Sequence, residues 1–270
     1  MSIVLMHRLA PLALLVSCIA CRGEAPHSKS ELPSSGADDA RAERPRDTPM
    51  SADDLFKKGR ALTRAGQPAA AIPYFDQYIQ LEPGKADGYR DRGIAWFLAG
   101  NHERAIRDYG EAIRLEAQIP ETYVNRGDSL KATGDLVGAA ADYSKAIELN
   151  PLYVEPYIRR GNIRADKGDL VAAIADYTSA LNIDPRSIVA WYERGTTQNR
   201  AGKREEAIRD LSEAIRLDPN YSGAYHNRAV VHALMGDFNA AREDLRRCKA
   251  LGGPIKPKLL QAVEEAAGKL

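Results

Sequence analysis

Few residues in this sequence stand at spacings that could do chemistry. Cys18 and Cys21 spell Cys-x-x-Cys, which elsewhere makes a redox or metal pair. Here the pair ends an apolar stretch with no helix or strand to hold it, so coincidence explains it better. His226 and His232 stand six apart on one expected helix, a spacing that does not bring both onto one metal. His102 follows a turn glycine and is expected to face solvent. No Gly-x-Gly-x-x-Gly opens a helix after a strand, and no Gly-x-x-x-x-Gly-Lys-Ser/Thr occurs. No Ser/His/Asp or Cys/His set stands out. The sequence is therefore read as non-enzymatic, without a metal, a cofactor or a small-molecule substrate.

One charged constellation does recur. Arg92, Arg126, Arg160, Arg194 and Arg228 are each followed, sixteen residues on, by Asp108, Asp142, Asp176, Asp210 and Asp244. These columns are predicted to form a ladder of ion pairs between antiparallel helices. The competing reading, arginines that grip an acidic ligand, is weaker because each arginine has an obvious aspartate.

The elements that position these residues come from a repeat. Six units of 34 residues, without insertions, start at Ala52, Ala86, Pro120, Val154, Ile188 and Ser222. The eighth position is glycine in five units (Gly59 to Gly195) and Ala229 in the sixth; the twentieth is alanine in all six. Small residues there let two helices approach closely, and a bulky one would overpack by roughly 1–3 kcal/mol. The fifteenth position, Gly66 through Gly236, is read as the left-handed end of the first helix. Asp135, Asp169 and Asp237 follow it as N-caps of the second. Large residues fill the fourth position (Leu55, Tyr89, Tyr123, Tyr157, Trp191, Tyr225) and the 24th (Phe75, Tyr109, Tyr143, Tyr177, Leu211, Leu245). Cys248 stands where other units carry alanine, as a small buried hydrophobe. Four units close with proline.

Two departures carry expectations. Pro73 falls inside the second helix and should kink it, and Tyr78 replaces a small residue there. The second unit has Ala117 in place of the closing proline, so its turn should be irregular. After Gly252-Gly253, an amphipathic stretch within 256–270 reads as a helix capping the last unit. A partner-binding helix is the other reading.

The composition is 44% hydrophobic and 28% charged, with net charge +1. A nucleic-acid binder would show a basic surplus over the phosphates it neutralises, and none is visible.

The first fifty residues are an address and a tether. His7 and Arg8 precede a short apolar run, Leu9 to Val16, too short for a bilayer, which needs roughly 20 residues. It fits the hydrophobic region of a secretory signal over 1–21. Leu15-Val16-Ser17-Cys18 resembles the lipobox of bacterial lipoproteins, in which the cysteine is acylated and becomes the N-terminus. Cys21 is the alternative lipidation site. A conventional cleaved signal and an uncleaved anchor are the competing readings. Neither Ile19 nor Arg22 is the aspartate that resembles an inner-membrane retention signal, which favours an outer-membrane destination. Residues 22–50, rich in Pro, Ser, Ala and mixed charge, read as a flexible tether.

The 34-residue pattern resembles the tetratricopeptide repeat family over about 204 of 270 residues. That resemblance implies an all-α, right-handed solenoid of six helix–turn–helix repeats over 51–255, plus the capping helix. It also implies a concave groove lined by the first helices, here offering Arg90, Asp91, Ile94, Asn125, Asp128, Arg159, Asn162, Tyr192, Glu193 and Asn227 to a protein or extended peptide. The carboxylate clamp that some members use against chaperone tails is broken at Ile94 and Glu155, so chaperone-tail binding is not expected. The function implied is a lipid-anchored envelope scaffold docking other proteins; the alternative is a structural protein that self-associates through its end units.

Overall fold

The computed structural model describes residues 50–268. The leader, the candidate lipidation sites Cys18 and Cys21, and the tether up to residue 49 lie outside the described residues. Helices come in consecutive antiparallel pairs: α1 (Ala52–Arg64) with α2 (Pro68–Leu81), α3 (Ala86–Leu98) with α4 (His102–Leu115), and α5 (Pro120–Thr133) with α6 (Leu136–Leu149). The series continues with α7 (Val154–Asp166) and α8 (Leu170–Ile183), α9 (Ile188–Arg200) and α10 (Arg204–Leu217), and α11 (Ser222–Leu234) and α12 (Phe238–Ala250). A last helix, α13 (Pro257–Ala267), packs on α12 and buries Val263 against Ala241 and Leu245.

Local signals set the helix ends. The glycine closing each first helix has positive φ, from 73° at Gly66 to 92° at Gly134, which L side chains adopt only under strain. Asp135, Asp169 and Asp237 accept from the backbone N–H three residues on, at 2.8, 3.1 and 3.0 Å. Asn101, Ser51 and Ser187 cap their helices the same way, though the repeat columns had not marked them.

The core alternates holes and knobs. A Cβ added at Gly93, Gly127 or Gly161 would stand 2.7 Å from the ring of Tyr109, Tyr143 or Tyr177, each fully buried. In the sixth unit Ala229 faces the smaller Leu245. Every large ring is matched to a glycine, while leucine meets glycine in the fifth unit (Gly195 with Leu211) and alanine in the sixth.

The two departures leave different marks. α2 runs unbroken through Pro73, which is exposed; proline brings no N–H, and the Ala69 carbonyl it leaves without a helical partner belongs to an exposed residue that water can reach. The turn after α4 keeps its usual length, and Pro120 restarts the helix at its first residue, where a proline lacks no bond. That turn does lack one feature of the others: the bond closing it elsewhere (Lys85 to Glu82, Tyr153 to Asn150, Ser187 to Asp184, Tyr221 to Asp218) has no counterpart at Ile119.

The five arginines each grip their aspartate with two nitrogens. Nε and Nη2 donate to the two carboxylate oxygens at 2.8 and 2.7 Å for Arg92–Asp108 and for Arg126–Asp142. The distances are 3.1 and 2.7 Å for Arg160–Asp176, 2.6 and 3.0 Å for Arg194–Asp210, and 2.9 and 2.7 Å for Arg228–Asp244. Such planar two-point pairing fixes orientation as well as energy. The Asp108 hydrogen bond raises the Arg92 pKa further. Each guanidinium also lies over the aromatic ring three residues before it, 4.8 Å from the Trp191 centroid in the case of Arg194.

The remaining nitrogen, Nη1, reaches back to the preceding unit. It donates to Asp76 (2.7 Å) from Arg92, to Ser144 (2.9 Å) from Arg160, to Thr178 (3.1 Å) from Arg194 and to Ser212 (2.8 Å) from Arg228. The arginine column therefore joins neighbouring units as well as the two helices of one. Arg126 lacks this link because Gly110 stands at the corresponding place.

Candidate functional site

Successive first helices touch across the units, α1 with α3, α3 with α5, α7 with α9 and α9 with α11, while second helices do so to no comparable extent among the described residues. The first helices thus form the inner side of the stack. Because 34-residue spacing repeats their faces in register, the same few positions of every first helix share one surface.

At the N-terminal end of that surface, Asp91 is 8% exposed and stands 3.8 Å from Arg90. Arg60 Nε lies 3.2 Å from Asp91 Oδ2 but off the line a hydrogen bond needs, so that oxygen accepts none. Burial pushes the Asp91 carboxyl pKa up, against the pull of Arg60 and Arg90. Arg60, Arg64, Phe75, Asp91 and Ile94 border a cavity of about 160 Å³.

The central part is held by its own bonds. Asp128 accepts from the Tyr143 hydroxyl (2.7 Å) and from Arg159 Nη1 (2.8 Å), and Arg159 also pairs with Glu155. Burial raises the Asp128 pKa, with Tyr143 and Arg159 opposing. Asn162 accepts from the Tyr177 hydroxyl at 2.7 Å. Asn125 sits beside Asp128 with no side-chain hydrogen bond among the described residues, and both border a second cavity together with Ile94.

Towards the C-terminal end, the Asn227 amide donates to the Tyr192 hydroxyl (3.0 Å) and to Thr196 (2.9 Å), tying α11 to α9. Glu193 has no ion-pair partner among the described residues; burial and then Asp166 raise its pKa, and Lys131 opposes.

The ten groove residues expected from sequence thus share the inner face but divide by occupation. Asp128, Arg159, Asn162, Tyr192 and Asn227 spend polar groups on one another or on the core, whereas Asn125 and Glu193 keep theirs free. Arg60 and Thr196 belong to the same surface and were missed as such, as were the buried Tyr143 and Tyr177, whose hydroxyls hold Asp128 and Asn162 from beneath it. Arg60 and Thr196 occupy the ninth position that drew attention to Ile94 and Asp128, and that register could have found them. Among the described residues no group of three or more His, Cys, Asp or Glu converges as metal ligands would, and His232 stands 3.9 Å from Asp237.

An unbroken stack of equal helix pairs with a shared inner face defines an α-helical repeat scaffold. The chain belongs to the tetratricopeptide repeat family: tetratricopeptide repeat signatures match residues 56–120, 124–188 and 223–252, and a TPR repeat signature matches 199–236. Its solenoid is the right-handed one that this family builds. Among curated proteins none matches the chain significantly.

Solved structures share the fold. YrrB, described as a TPR protein with an unusual peptide-binding site, superposes with a TM-score of 0.56 at 22% identity over 65% of this chain and 91% of that one. MamA from Desulfovibrio magneticus RS-1 gives 0.59 at 22% identity over 62% and 94%. The C-terminal part of a TPR repeat-containing protein from Cytophaga hutchinsonii gives 0.64 at 18% over 73% and 78%.

Proposed function

We propose that this chain is a non-enzymatic scaffold of the bacterial cell envelope, exported, anchored through a lipid on Cys18, and holding partner proteins by an extended segment laid along its inner face. One observation carries the binding part. Six buried side-chain polar atoms lack a hydrogen-bond partner among the described residues. Four belong to inner positions of first helices: Asp91 Oδ2, Arg159 Nε, Asn199 Oδ1 and His226 Nδ1. Each such group costs roughly 1–3 kcal/mol of desolvation while it stays unmatched, and a polypeptide backbone supplies both donors and acceptors to match it once the side chains that cover it shift aside. The unusual peptide-binding site of YrrB makes this use of the fold concrete, at an identity that speaks only for the fold.

The anchoring part rests on the lipobox-like Leu15-Val16-Ser17-Cys18. No helix among the described residues is long and apolar enough to cross a membrane. A lipid followed by a tether of some thirty residues would let the solenoid stand off the outer membrane, facing the periplasm.

In-cell photo-crosslinking tests the binding reading. A crosslinker at Asn125 or Asn227 should trap a discrete envelope protein, and one at Val171, exposed on a second helix, should not. Equal capture from both faces, or none from the inner one, refutes it. Mass spectrometry of the mature N-terminus tests the anchor: an acylated Cys18 is expected, and an unmodified N-terminus beyond Cys21 overturns it.

A further inference from the structure

One hydrogen bond of the repeat is closed in two units and open in a third. In the third and fourth units the phenol at the 24th position donates to the residue at the ninth: Tyr143 to Asp128 and Tyr177 to Asn162, both at 2.7 Å. In the second unit the same register sets Tyr109 against Ile94, which can accept nothing. Tyr109 is 1% exposed; its hydroxyl makes no hydrogen bond among the described residues and is not one of the six sealed-off atoms, and the residue lines a cavity. Burial pushes the Tyr109 phenol pKa well up, so the group keeps its proton and remains a donor.

This donor borders a cavity of about 240 Å³ between the second and third units, lined by Ile94, Phe97, Leu98, Tyr109, Asn125 and Asp128. Three of those side chains are aliphatic or aromatic hydrocarbon. Asp128 is already engaged by Tyr143 and Arg159, so it presents no uncompensated charge to an incoming cation. Asn125, whose carboxamide is free among the described residues, supplies an acceptor and two donors on the facing helix. Apolar walls with a few convergent polar groups are the ordinary make-up of a ligand pocket.

We propose that this cavity is a subsite for one bulky apolar side chain of an extended peptide, with Tyr109 Oη donating to a carbonyl of that peptide and Asn125 pairing with its backbone amide. The proposal rests on the reading of the inner face given above and narrows it. Charged side chains are turned away, since Ile94, Phe97 and Leu98 would desolvate them without a counter-ion. An apolar one gains burial on those same walls while its backbone satisfies Tyr109.

The test uses the whole chain and a terminally blocked peptide, Gly-Ser-Gly-Leu-Gly-Ser-Gly, titrated by isothermal calorimetry or by NMR. Counterparts carry Ala, Lys or Asp at the centre. The leucine peptide should bind at least about tenfold more tightly than the alanine one, given what each buried methylene contributes, and the charged ones more weakly still. Ile94→Asn gives Tyr109 the acceptor that Tyr177 already has. It should reduce leucine-peptide binding by about tenfold or more while leaving the melting temperature unchanged or higher. Tyr109→Phe, which keeps the ring, should weaken binding several-fold. Equal affinity for the leucine and alanine peptides, or undiminished binding to Ile94→Asn, overturns the subsite. If crosslinks from Asn227 persist in cells while the peptides fail, this inference alone falls. If no inner position crosslinks, the underlying reading falls with it.

Discussion

The ring of Tyr78 lies flat against Gly88: a Cβ built on that glycine would stand 2.7 Å from Tyr78 Cδ1 and Cε1. The corresponding pairs further along are small on small, Ala180 with Ala190 and Ala214 with Ala224, all buried. Where those pairs set two small residues together, the first unit sets one large side chain against none, and Phe56 stacks on the same ring at 4.8 Å. Gly88→Ala should therefore destabilise the chain by roughly 1–3 kcal/mol through overpacking, outweighing the helix propensity that alanine adds. In a Tyr78→Ala background the same substitution should stabilise, because the other near atom, Ile79 Cγ1 at 3.0 Å, can shift into the vacated space and alanine's helix propensity then adds. Urea unfolding of the four proteins decides it; the same sign in both backgrounds would remove Tyr78–Gly88 as a matched pair.

The arginine ladder makes a second prediction. Arg194 and Asp210 have side chains 16% and 7% exposed and pair with both carboxylate oxygens. Arg194→Ala strands a buried carboxylate and should cost about 3–5 kcal/mol. Arg194→Ala with Asp210→Ala should cost less than the sum of the single changes, by about 1.5 kcal/mol or more. Additive single effects would mean that the rung carries no coupling.

Most of this architecture was legible because a repeat tests itself. Gly134 and Asp135 mark a helix end and an N-cap in any sequence, and the repeat removes ambiguity: the glycine recurs in all five other units and the aspartate in two of them. The pairing of Arg160 with Asp176 could be read for the same reason. What escaped were contacts that no single column pairs: most lie across a unit boundary, and the tyrosine hydroxyls find their acceptors on the other helix of their own unit. Nothing local announces that Arg160 Nη1 reaches Ser144, that Tyr143 and Tyr177 spend their hydroxyls on Asp128 and Asn162, or that Gly88 answers Tyr78. The groove positions could not be read for occupation: Asn227 and Asn125 have the same chemistry and the same place in their units, but only Asn227 meets a tyrosine and a threonine across the unit boundary.

Glu193 makes stability depend on pH in a stated direction. Burial and Asp166 raise its folded pKa above the ordinary carboxylate value, so the folded chain binds that proton more tightly than the unfolded one. The resulting stabilisation is complete below the ordinary carboxylate range and is lost as pH rises through the raised value. Glu193→Gln should therefore be more stable than the parent at neutral pH, and the difference should shrink as pH falls through the mildly acidic range. Thermal melts from pH 7 to pH 4 check this. A difference independent of pH would show that Glu193 is not held out of water as described.

Gly110 is where the link between units is missing, and it offers the sharpest test of that link. Its Cβ would meet nothing within 4 Å, so a side chain fits without strain. Helix propensity alone ranks alanine above serine there, by about 0.5 kcal/mol, and both above glycine. The structure reverses that order. A serine at this position would stand to Arg126 as Ser144 does to Arg160 and Ser212 to Arg228, where Nη1 donates at 2.9 and 2.8 Å. A hydrogen bond to a charged donor contributes about 1.5–3 kcal/mol, less the entropy of fixing the hydroxyl. Gly110→Ser should therefore exceed Gly110→Ala in stability, and the advantage should vanish when Arg126 is replaced by lysine, which lacks the third planar nitrogen. If alanine proves the more stabilising in the parent chain, the back-reaching nitrogen contributes nothing, and the arginine column joins only the two helices of its own unit.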